Sequence, residues 1–186
     1  MKRTGFMGPC YAKAMARRYR FGIEEFERLF RGIAGVELLE GEVYQMSPIG
    51  PRHAEVVARL VTRFAQALGD QARVWPQNPV RLPPGSEPQP DIALLKPKDY
   101  WEALPSAEDV LLLVEVAESS LDYDRNTKLP LYARSAIPEV WVLDLSENRL
   151  HVFRAPKEGV YTEHRVLLPG EEAEPLLFPG VRVAWP

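Results

Sequence analysis

The sequence predicts a mixed α/β fold, an α+β arrangement in which one mixed sheet is flanked by helices. Three observations carry that expectation. Two stretches, IALL and VLLLVEV, are nearly solid aliphatic, as strands buried on both faces should be. Other segments repeat apolar residues three and four apart, the mark of amphipathic helices. Runs that alternate around glycine read as hairpins. In chain order this makes helix, hairpin, helix, strands, helix, strands.

Each element has its own signal. Residues 1–20 are basic and unpatterned and are expected to form an N-terminal arm, flexible over Met1–Ala14, with Met15 an alternative start. In FGIEEFERLFRG, Phe21, Phe26, Leu29 and Phe30 are expected to face the core, and Gly32 stands near the helix end. VELLEGEVYQMSP alternates around Gly41, two strands turning on that glycine. From about Arg52 to Leu68, Val56, Val57, Leu60, Val61, Phe64 and Leu68 form an apolar stripe. ARVWPQNPVRLPP reads as an extended, proline-broken edge segment. IALL and VLLLVEV then make the central strands. Pro130 has no backbone N–H and is harmless in the first turn of a helix, so the next helix is expected to start at Asn126 or Thr127 with Lys128 in that turn. EVWVLDL is a strand, LHVFRA and YTEHRVLL a hairpin, and the tail from Leu176 is short, apolar and proline-rich. No linker divides the chain, so 21–186 is expected to be a single domain.

Composition narrows the function. The 186 residues are 46% hydrophobic and 26% charged, as in a soluble globular protein with a real core. Apolar runs fall far short of the roughly 20 residues that a membrane span needs, so no membrane association is expected. The basic N-terminus lacks the apolar stretch of a signal peptide, which makes a cytoplasmic location the expectation. Cys10 is the one cysteine, so neither an internal disulfide nor a cysteine metal cluster is open to it. His53, His151 and His164 show no paired ligand spacing. Any metal would then be held by oxygen, which favours Mg²⁺ or Mn²⁺ over zinc. The net charge of −3 argues against non-specific coating of nucleic acid, though not against docking DNA in a local groove.

Against this background the acids stand out. Asp91 opens IALL, Glu115 interrupts VLLLVEV, and Lys128 follows a short polar link. A buried carboxylate costs several kcal/mol unless paired, protonated or bound to a metal. If the two strands are neighbours, Asp91 and Glu115 share one cation and Lys128 approaches from the side. The acids would hold the metal, the metal would polarise a phosphate and acidify a water, and the lysine would orient the nucleophile. From spacing alone an internal Glu115–Lys128 ion pair is the commoner explanation, and both remain open at this point.

The pieces LEGEVYQMSP with His53 after it, Pro90-Asp91, VEVAESS, DYDRNTKLPLYA and IPEVWVLDL together resemble the Uma2 family, a branch of the PD-(D/E)xK nuclease superfamily. The resemblance spans about Phe21 to Phe153 and implies a restriction-endonuclease-like core. It makes Asp91 the motif aspartate and Glu115 the motif acid. The motif lysine normally stands two residues after that acid, where this chain has Ala117. The resemblance places it at Lys128 on the following helix. Glu42 matches the family's GE dipeptide, and His53 matches a family histidine at a helix start. Asp124 either caps the lysine helix or orients Lys128. Tyr132, Trp141 and Asp144 match the pattern as core and structural residues. The function so implied is a Mg²⁺- or Mn²⁺-dependent DNA endonuclease, acting as a homo-oligomer, a dimer or higher. Two alternatives stay beside it: a catalytically weak or inactive binding module of the same fold, and a hydrolase of RNA or a cyclic nucleotide.

Overall fold

The computed structural model describes residues 17–118 and 120–185. Cys10, Met15 and the Met1–Ala14 arm lie outside the described residues. A six-stranded mixed sheet runs in the order β3 (Arg73–Pro76), β4 (Ile92–Leu95), β5 (Val110–Ala117), β6 (Glu139–Asp144), β7 (Arg149–Lys157) and β8 (Val160–Leu167). Every neighbouring pair is antiparallel except β5 and β6. A parallel pair needs a crossover, and the helical segment over residues 121–134 supplies it.

The solid aliphatic strands are explained by cover on both faces. Helix α2 (Pro51–Leu68) packs Val56, Val57, Leu60, Phe64 and Leu68 on Leu112, Val114 and Val116. Phe64 is fully buried with its ring centroid 5.7 Å from that of Trp141, and truncating it would cost roughly 3–5 kcal/mol. On the opposite face the crossover sets Leu129, Leu131 and Tyr132 against Leu113, Ala117, Val140 and Val142. Period-two alternation therefore turns Glu115 toward the crossover, with Leu113 and Ala117.

A separate hairpin, β1 (Val36–Leu39) and β2 (Glu42–Gln45), turns at Glu40 and Gly41, which both have positive φ. Helix α1 (Ile23–Phe30) buries Ile23 and Phe26 against Val36 and Leu38. Leu29 was expected in the core and is instead exposed, because Ile23 and Phe26 define the inward face of this short helix. Among the described residues no helix is long and apolar enough to cross a membrane.

The crossover departs from expectation. Helix begins at α3 (Leu121–Tyr123), passes through a π-turn at Asp124–Lys128 and continues as α4 (Leu129–Arg134). Lys128 is thus inside a continuous helical segment rather than in a first turn. A proline ring clashes with the carbonyl four residues earlier, and the wide turn directly before Pro130 gives it room. The Leu129 N–H reaches back five residues to the Asp124 carbonyl.

Candidate active site

Strand register brings the two acids together. Ile92 pairs with Val114 across β4 and β5, so Asp91 falls opposite Glu115 one step further on. Asp91 is fixed at both oxygens: Oδ2 accepts the Val116 N–H at 2.8 Å, and Oδ1 lies 2.8 Å from His53 Nε2. His53 sits in the first turn of α2, and its hydrogen bond to Asp91 raises its pKa despite burial.

Glu115 is only 3% exposed. Its Oε1 accepts a 2.5 Å hydrogen bond from the Tyr132 hydroxyl, one turn beyond Lys128 on the crossover. The Lys128 ammonium, in a residue 4% exposed, is 3.4 Å from each Glu115 oxygen and 3.3 Å from Glu37 Oε2. Burial pushes the Glu115 carboxyl well up, against the pull of Lys128. Burial alone would lower Lys128, but Glu115, Glu37, Asp124 and Asp91 outweigh it and hold the ammonium protonated.

Glu37 is fully buried and went unnoticed in the sequence. It accepts hydrogen bonds from the Gln89 N–H and the Tyr123 hydroxyl, both at 3.0 Å, and pairs with Lys128. The one available signal was an acid within the apolar strand VELL. Tyr132, read as a core residue, is buried as expected but also holds Glu115. Asp124 is buried at the start of the π-turn, 2.7 Å from the Ser120 hydroxyl, and burial raises its pKa. It therefore does not cap the lysine helix, whose start lies further back.

These groups line a cavity of about 480 Å³, bounded by β2, the loop into α2, the ends of β4 and β5, and the crossover. His53, Asp91, Glu115, Asp124 and Lys128 all face it. Glu42 does not: it lies near Arg18 and Arg20 and accepts from the Tyr44 hydroxyl. It sits at the turn end of β2, on the same face as Tyr44 but outside the cavity lining. His151 and His164 meet across β7 and β8 at 3.0 Å, outside this cavity.

Among the described residues no three His, Cys, Asp or Glu side chains stand grouped as a metal cage. Asp91 and Glu115 face each other as donors, with Glu118 and Asp124 on the same lining, and the hard cation Mg²⁺ is ordinarily held by one or two carboxylates completed by water and phosphate. Each carboxylate oxygen has a second lone pair, so His53, Tyr132 and the Val116 N–H orient the acids without exhausting them. The donor set fits Mg²⁺ or Mn²⁺.

No curated protein matches the chain. Among solved structures, a nuclease described as putative and belonging to DUF820, from Anabaena variabilis ATCC 29413, superposes with a TM-score of 0.66 at 17% identity. The match covers 83% of this chain and 88% of the other, and it shows a shared fold. The family model for Uma2, described as putative restriction endonuclease, matches residues 23–186. The chain belongs to the Uma2 family.

Proposed function

We propose that this chain is a metal-dependent nuclease that hydrolyses DNA phosphodiester bonds at a variant PD-(D/E)xK site. The observation that supports it most is the Lys128 ammonium 3.4 Å from both Glu115 oxygens, reached from the crossover instead of the strand. Asp91 and Glu115 would hold Mg²⁺ or Mn²⁺. Such an ion, when bound, polarises the scissile phosphate and acidifies a water.

The chain's own residues do the rest. Lys128 presents a fixed positive charge to the phosphate, and Glu37 keeps that ammonium aimed from its far side. His53 and the Val116 N–H set the direction of the Asp91 carboxylate. Tyr132 does the same for Glu115. Burial of Glu115 and Lys128 strengthens each of these interactions by excluding water.

The test is cleavage of plasmid and oligonucleotide DNA with Mg²⁺ or Mn²⁺, beside an Asp91→Ala control. Metal-dependent cutting that the control lacks is the expected result. Undiminished cutting by Asp91→Ala would remove the assignment. A second reading, an inactive nucleic-acid-binding module, draws on one observation: Lys128 already lies between two carboxylates, as in a structural ion pair. DNA binding without cleavage under any metal would select it.

A further inference from the structure

The acids and the lysine line a recess, and part of its remaining wall is aromatic and apolar. Tyr44 and Tyr123 meet there with ring centroids 5.6 Å apart and tilted by 52°. Met46 is half-buried beside them, and Ile49 is 53% exposed on the same lining. The Tyr123 ring centroid is 5.9 Å from the Lys128 ammonium, so the aromatic wall adjoins the charged floor directly. Resting on the nuclease reading above, we propose that the recess takes one unpaired nucleotide at a time. Its base lies against Tyr44, Met46 and Ile49, its phosphate points to Lys128, and single strands and unpaired bubbles are cut in preference to intact duplex.

Size and depth carry the argument. A cavity of about 480 Å³ is in the range of sites that enclose a small ligand. It holds a nucleotide, whereas a duplex needs an open cleft. Duplex DNA is also stiff, with a persistence length of about 50 nm, and bending one phosphate inward to a nearly buried floor is costly. A single strand meets neither obstacle. The wall chemistry agrees, because every base has a π-face that stacks on an aromatic side chain whatever its sequence. Methionine beside the ring adapts to bases of different shape.

One oligonucleotide sequence, prepared as single strand, full duplex and duplex with a central bubble, tests this with Mg²⁺ or Mn²⁺ present. Single strand and bubble are expected to be cut roughly ten-fold or more faster than duplex, with loss of one stacked base of similar size in Tyr44→Ala. Tyr44→Phe keeps the ring and is expected to keep the preference, and Ile49→Ala, at an exposed position, weakens single-strand binding without a burden on folding. A single-stranded RNA of the same sequence runs alongside, and a preference for either single strand over duplex bears the proposal out. Affinities measured by fluorescence anisotropy with Asp91→Ala protein separate the two ideas. If nothing is cut but single strand still binds more tightly than duplex, the nuclease reading falls and the recess stands. Duplex bound as tightly as single strand, or an unchanged preference in Tyr44→Ala, overturns the proposal.

Discussion

Lys128 is a cation almost without water, and its neighbours explain how it stays there. Removing it leaves Glu37 and Glu115 buried without a counter-charge, and Lys128→Met is expected to cost about 3–5 kcal/mol, read from urea unfolding. Adding Glu115→Gln to Lys128→Met is expected to recover more than Glu115→Gln gains in wild type, because there it removes a stranded charge. An additive double mutant would show that the 3.4 Å pair is not coupled. Asp91, Glu115 and Lys128 were legible because each breaks a local pattern or matches a family motif. Glu37 was hidden, since its meaning depends on Gln89, Tyr123 and Lys128, up to 91 residues away in the numbering. A second acid sets a pH dependence away from the cavity. Burial, then Glu27, pushes Glu87 up to about 7 against the opposing pull of Arg81. The folded protein therefore holds a proton that the unfolded chain has released. That contribution is complete below about 4.5 and is lost as pH rises through about 7. Melting temperatures of Glu87→Gln are expected to fall less than wild type between those limits, and parallel curves would refute the assignment.

Two irregular turns place the site, and they differ in how far the sequence revealed them. The hairpin turn was readable from Gly41, whose φ of 82° suits glycine, and a Cβ there would lie 2.7 Å from the Arg20 Cβ. Gly41→Ala is expected to destabilise by at least about 1 kcal/mol in urea unfolding, through both the strained φ and the contact. Because β1 carries Glu37, the same variant should lower nuclease activity further than its stability loss explains, read as a fall in kcat in protein still folded. The π-turn was not readable. Pro130 has two compatible positions, a helix start or a widened turn, and local sequence does not distinguish them. Tertiary packing does: Leu121 and Tyr123 bury apolar surface against the same cluster as Leu129, so helix pays to start early. Leu29 shows the converse, an apolar residue that lacks a second layer to cover it.

At the scale of the whole molecule the sheet was legible because β4 and β5 need cover on both faces, and α2 and the crossover were the amphipathic segments able to supply it. The β7–β8 hairpin was legible as well, but the order of the strands across the sheet was not, since no local pattern encodes which strand lies beside which. This architecture links global stability to the cavity, because Asp91 and Glu115 come from adjacent central strands whose separation is fixed. Crowding of Glu37, Glu115, Asp124 and Asp91 around one lysine opposes folding in chelator, and Glu115→Gln relieves part of it. The mutant is therefore expected to melt above wild type without metal. Mg²⁺ that binds the folded state alone adds about 2.7 kcal/mol at a hundred times its Kd, roughly 5–10 °C for a domain of this size. Wild type should gain that shift and Glu115→Gln should not, so the order of the two melting temperatures reverses as Mg²⁺ is raised. A mutant already less stable than wild type in chelator would make Glu115–Lys128 a structural ion pair. An equal Mg²⁺ shift in both proteins would take Glu115 out of the ligand set, and only the crossing of the two curves satisfies a site in which one carboxylate both burdens the empty fold and holds the ion.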